Sequence, residues 1–231
     1  MNSKTRKDCR WQIIGLLLFL GAATLGCNPL QTIAFFTIPE TPAPPLSGTE
    51  ITEKMDKPKV AIFTSWADGR TNHSLLSIDQ ELPQELERML NKRFKDASEE
   101  VKILKFYKIR NYKAEHPGWE LKTMYEIGKE LEVDFVIALQ IRKMSLYEPK
   151  SHNMIYRGTG EIKLSLTDTN LPPETGPVYL TDYIAAYPKY GHKIVEHSEP
   201  IFRRQFVKRM AEEISRHFAP YPRKVDQFVD R

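Results

Sequence analysis

The chain has 231 residues, 41% of them hydrophobic, with 34 Lys and Arg against 30 Asp and Glu for a formal net charge of +4. Lys4, Arg6, Lys7 and Arg10 against Asp8 supply most of that excess, so the remainder is close to neutral and lacks the clustered basic stripe of a nucleic-acid-binding face. The chain beyond residue 26 is long enough to bury one core, which argues for one domain rather than two.

The four early basic residues precede an apolar stretch from Trp11 to Gly26 that ends in small residues, the layout of a secretory signal peptide over residues 1–26. The stretch is shorter than the ~20 residues that a helix needs to span a bilayer, which favours cleavage over a permanent anchor. Thr24-Leu25-Gly26-Cys27 resembles a lipobox, with Leu25 one position later than usual, so Cys27 is the expected lipidation site. The alternative is an ordinary signal cut near Ala22 or Ala23. Cysteine usage agrees with lipidation: the only other cysteine is Cys9, inside the basic segment. A lone thiol in an oxidising compartment has no internal partner, and acylation would cap it.

Residues 27–57 are rich in Pro, Thr, Gly and Ser and read as a tether that holds a domain away from the bilayer, with Thr32 to Ile38 apolar enough to lie on a membrane or on the domain. The domain is expected over 58–219, with a C-terminal tail at 220–231. Lys59 to Ser65 is a β-branched and aromatic run that predicts a buried strand. Leu82, Leu86, Met89, Leu90, Phe94 and Ala97 fall at helical spacing and predict a helix from Pro83 to Ala97. Val101 to Ile109 alternates apolar residues with lysines, the pattern of a half-exposed edge strand. A helix opening after His116-Pro117-Gly118 leads into Val133 to Leu139, almost uniformly apolar like a strand covered on both sides. Tyr156 to Asp168 alternates Ile162, Leu164 and Leu166 with polar residues, and Gly158 and Gly160 signal a bulge or a close backbone approach. A strand from Val178 to Tyr187 and a helix carrying Phe202, Phe206, Met210, Ile214 and Phe218 close the chain. The order βαβαβββα predicts an α/β or α+β fold, a mixed sheet of about five strands with helices packed on it.

Residues that carry chemistry are sparse. The histidines at 73, 116, 152, 192, 197 and 217 make no metal-ligand spacing, and His192, His197 and Glu196 read as a solvated loop, so no metal and no cofactor is expected. Ser65 near Asp68 lacks the turn of a nucleophile elbow. Glu161, Asp168 and Asp182 are the carboxylates that a glycosidase would need, although alternation puts Glu161 on a polar face. Asp134 is expected to terminate hydrogen bonding at the end of a helix. Tyr179, Tyr183 and Tyr187 share one strand face by period two and form the candidate binding surface, with packing under a helix as the alternative.

The strand Val60-Ala-Ile-Phe63, the passage Ile127-Gly-Lys-Glu-Leu-Glu-Val-Asp134 into Phe135 to Ile141, and the strand Tyr156 to Asp168 with the closing helix resemble a group of envelope lipoproteins. The group includes the curli-secretion channel subunit, the lipoprotein activators of penicillin-binding proteins and the amino-terminal domain of the Tol-system propeller protein. Val133 stands where the group usually has Ala. The resemblance covers most of residues 58–218 and implies an anticodon-binding-like topology and a scaffold role, docking on other envelope proteins or self-associating, with no catalytic residues to transfer. The expected function is a non-enzymatic, lipid-anchored binding or assembly subunit on the periplasmic side of a bacterial envelope. Asn28 after Cys27 favours the outer membrane. An envelope protein or a second copy is the expected partner. The rival is an envelope hydrolase acting on cell wall or glycan, which needs convergent carboxylates or His and Ser in one pocket.

Overall fold

The computed structural model describes residues 42–53, 55–67, 75, 77–189, 193–194 and 198–222. The signal segment, Cys27 and the first part of the tether lie outside them. Strand β1 (Lys59–Trp66) runs parallel to β2 (Lys102–Ile103) on one side and to β3 (Phe135–Tyr147) on the other. β4 (Ile155–Asp168) and β5 (Tyr179–Tyr187) continue the sheet antiparallel, giving the order β2-β1-β3-β4-β5, and the two-residue β6 (Lys193–Ile194) pairs with β4. The fold is α/β with a mixed sheet, as the alternating order of elements predicts.

Helix α1 (Ile78–Asp96) and the closing helix, labelled α4 (Glu199–Phe218), share one face of the sheet. Ile78, Leu82, Leu86 and Leu90 recur every fourth residue, and all are fully buried against Ile62, Ile137, Leu164, Phe206 and Ile214 in the main core. α1 starts five residues before the predicted Pro83. A proline inside a helix leaves the carbonyl four residues back without its donor, and that carbonyl, on Asp79, accepts the Thr64 hydroxyl of β1 at 3.1 Å. A tertiary bond thereby lets the helix run through its proline. On β4, a Cβ at Gly158 would fall 2.6 Å from the Phe206 ring, so the glycine is where α4 lies directly on the sheet backbone.

The second face is covered by α2 (Phe106–Glu115) and α3 (Met124–Glu130) over β1 and the start of β3, around Phe63, Tyr112, Trp119, Ile127 and Val136. The strand expected from Val101 to Ile109 does not form over that span: only Lys102 and Ile103 pair, and Phe106 begins a helix. Ile109 and Tyr112, three residues apart, are both buried, and Glu87 of α1 accepts from the Phe106 amide at 3.0 Å and from Lys105 at 2.8 Å. A free helix-start amide paired with a distant carboxylate is a contact that local alternation does not display. Lys113 of the same helix donates to the Thr64 carbonyl at 2.6 Å and lies 4.5 Å from the Trp119 ring centre, and burial lowers its pKa. The helix expected straight after Gly118 begins at Met124, where Thr123 and Glu126 form a reciprocal capping box.

The folded unit reaches past both expected boundaries. Residues 42–53 lie on the domain instead of tethering it: Ala43 pairs with Tyr221, and Leu46 and Ser47 donate to the Arg216 and His217 carbonyls at 2.9 and 3.2 Å. The last turn of a helix leaves carbonyls without intrahelical donors, and this segment supplies them for α4. Ile51, 1% exposed, joins the main core.

Candidate functional site

Among the described residues, β3, β4 and β5 differ from β1 in having only one face covered by helices along most of their length. Toward α1 and α4 they present Ile162, Leu164, Leu166 and Ala185, all buried. Their other face carries Gln140, Arg142, Glu161, Lys163, Ser165, Leu180, Asp182 and Ile184, exposed or half-buried. On it lies a groove of about 530 Å³ with a polar floor of Gln140, Lys163, Ser165 and Thr167. Its walls are apolar: Met124 and Tyr125 from the start of α3 on one side, Pro172, Pro173, Pro177 and Leu180 on the other. That size and that mix of apolar walls with a few polar groups are typical of ligand grooves.

The tyrosine row does not belong to this face. Tyr179, Tyr183 and Tyr187 share a side of β5 as the alternation requires, but that side packs against α4. Their hydroxyls meet His217 Nδ1 at 2.7 Å, Glu213 at 2.7 Å and Gln205 at 3.2 Å. Burial raises the pKa of Tyr183, and the neighbouring Glu213 carboxylate raises it further, so the phenol stays a protonated donor. Burial also lowers the pKa of His217, against the opposing pull of Glu213. The row is a polar seam between sheet and helix, the reading that a period-two pattern leaves open until the covering helix is placed.

The carboxylates are separated by their partners. Glu161 lies 3.9 Å from Lys143 on the exposed face. Asp168, 4% exposed at the end of β4, accepts from the Asn170 amide at 2.9 Å and shapes the turn. Asp182 on β5 is held by Arg142 at 3.0 Å, a bond that crosses over β4. Asp134 accepts from the Lys59 amide at 2.8 Å and ties the start of β1 to β3. Ser65 lines one end of the groove. Asp68, His73, His192, His197 and Glu196 lie outside the described residues. Among the described residues no group of three or more His, Cys, Asp or Glu is placed to hold a metal, and no helix is long and apolar enough to cross a membrane.

What sequence reasoning missed is the other side of the same strand. Leu180 is 52% and Ile184 77% exposed, flanking Asp182 on the uncovered face. Lys163 stands directly across from Asp182 in the β4–β5 ladder, yet it has no hydrogen bond or ion pair among the described residues. The signal was present in the Leu-x-Asp-x-Ile alternation, which the tyrosines overshadowed.

No family model matches the chain, and no curated protein matches it. Solved structures do. Bacterial lipoproteins are among them. Lipoprotein GNA1162 from Neisseria meningitidis is 6% identical, covering 68% of this chain and 98% of its own, with a TM-score of 0.41. A PelC dodecamer structure from Paraburkholderia phytofirmans is 7% identical over 71% of this chain and 89% of its own, with a TM-score of 0.39. Protein CT253 from Chlamydia trachomatis is 13% identical over 69% and 96%, with a TM-score of 0.40.

Proposed function

We propose that the chain is a lipid-anchored, non-enzymatic subunit of the bacterial cell envelope. Cys27 carries the acyl anchor on the periplasmic side, the outer membrane is the favoured location, and the domain binds or helps assemble another envelope component. The observation that carries the binding role is the uncovered face of β3–β5, where a 530 Å³ groove with apolar walls adjoins the exposed Leu180 and Ile184. Exposed apolar surface rimmed by polar residues is characteristic of interaction sites. The anchoring role rests on the signal layout and on Cys27 as the sole cysteine left after cleavage. More than one acyl chain is needed for stable anchoring, which lipoprotein maturation supplies.

Two experiments test this reading. Metabolic labelling with a fatty acid should mark the full chain and not Cys27→Ser, and label retained in Cys27→Ser would sink the anchor. In-cell crosslinking followed by affinity purification and mass spectrometry should recover an envelope protein or the chain itself, and Tyr125→Ala with Leu180→Ser should lower that yield. An unchanged yield would remove the groove from the binding role.

A further inference from the structure

The edge of β5 that no described strand pairs is the part of this region with the most specific pattern. β5 is nine residues long and has β4 as its one strand neighbour among the described residues. Edge strands of that length are normally blunted by proline, lysine or a bulge. β5 contains no proline and no lysine, and its β4 register is continuous. A strand edge of this kind is a template for backbone pairing.

We propose that this edge pairs antiparallel with β5 of a second copy, about a two-fold axis at Asp182. This deepens the binding role proposed for the uncovered face and rests on it. Side chains alternate with period two, so a two-fold axis perpendicular to the sheet must be centred on a residue pair and not between pairs. Centred on Asp182, the pairing sets Leu180 of each copy opposite Ile184 of the other. Centred on Tyr183, it would set the Asp182 carboxylate opposite Ile184. Cross-strand apolar pairs stabilise, while unlike pairs of this kind do not.

The charges fit the same centre. Two Asp182 carboxylates facing each other would repel if bare, but each already lies among cations of its own chain, Arg142 at 3.0 Å and Lys163 directly across the ladder. Lys163 has no partner of its own among the described residues. Arg142 reaches Asp182 across one intervening strand, and Lys163 of β4 would reach the Asp182 of the second copy across the same two-strand span, over β5. The seam therefore supplies the acid that Lys163 lacks.

The register joins residues 179–185 of each copy, about seven a side, against the ~20–30 residues a side of a stable free-standing interface. The pairing is thus weak in dilute solution and depends on the high effective concentration that a common membrane anchor provides.

The test is cysteine crosslinking of the full chain in cells under a mild oxidant, with the unsubstituted chain as control for Cys27. Asp182→Cys should pair with itself and give a covalent band at twice the chain mass. Leu180→Cys combined with Ile184→Cys should do the same with Asp182 intact, whereas Ile184→Cys alone should remain a monomer. Monomer in both of the first two variants overturns the proposal, as does an equal dimer yield from Ile184→Cys alone, or a band containing a different protein. If these variants stay monomeric while the envelope crosslink persists, the second copy is lost and the binding role stands. If no other envelope protein is crosslinked while the cysteine dimer forms, the second copy is itself the partner of the binding role.

Discussion

The two faces of β5 carry residues from the same nine-position run and have opposite fates. On the α4 side, Tyr179 packs beside Phe218 and Tyr187 beside Phe202, and the hydroxyls of Tyr179, Tyr183 and Tyr187 meet His217, Glu213 and Gln205 along the helix. On the opposite side, Leu180, Asp182 and Ile184 meet solvent. A row of aromatics is the more conspicuous feature in a sequence, but a phenol adds stability wherever a helix can cover its ring and a side chain can meet its hydroxyl. The aliphatics on the quieter face, Leu180 and Ile184, are left exposed among the described residues.

The sharpest break between the faces is in stability. Phe206→Ala empties the contact over Gly158 and should cost about 3–5 kcal/mol, read as a fall in the denaturation midpoint. Gly158→Ala drives a methyl into the same ring and should cost about 1–3 kcal/mol by the same assay, with the loss eased when Phe206 is shortened to Leu. Tyr183→Phe leaves Glu213 without its 2.7 Å donor beside the core and should cost about 1–2 kcal/mol, without reducing partner or self crosslinking. A loss of crosslinking in Tyr183→Phe would return the tyrosine row to the binding surface.

His217 supplies a pH test of the covered face. Its folded pKa lies below the ordinary 6.5, so between those values the unfolded chain binds more protons than the folded one. The contribution is present above about pH 6.5 and is lost as pH falls below it toward the folded value. Chemical denaturation from pH 8 to 5 should show that decline, and His217→Gln should flatten it. Smallest in stability is Ile184→Ser, expected to stay within ~0.5 kcal/mol of the parent as a surface change. Its effect belongs to self-association, which should fall.

Legibility followed how much of each pattern was local. β4 is readable nearly to the residue and α4 by its apolar face, because Ile162, Leu164 and Leu166 alternate and Phe202, Phe206, Met210 and Phe218 repeat at helical spacing over long runs. α2 was misread as a strand, since its Lys-rich alternation from Val101 carried through to Ile109, and the carboxylate that meets its first amide, Glu87, is 19 residues upstream. The start of α1 was cut short at Pro83 because the donor that replaces the missing amide bond comes from Thr64. The groove was invisible for the same kind of reason: its walls come from α3 and from the β4–β5 turn, separated by some fifty residues.

By itself the sequence determined the α/β class, the covered faces of the long elements and the expectation of an exported, Cys27-anchored chain, because hydrophobic period and signal layout are properties of contiguous residues. Only the tertiary structure decided which face of β5 is covered, that residues 42–53 cap α4, and that Lys163 stands beside Asp182 without a partner among the described residues. Period two states that two faces exist. Which of them a helix covers depends on where a chain segment well removed in sequence comes to rest.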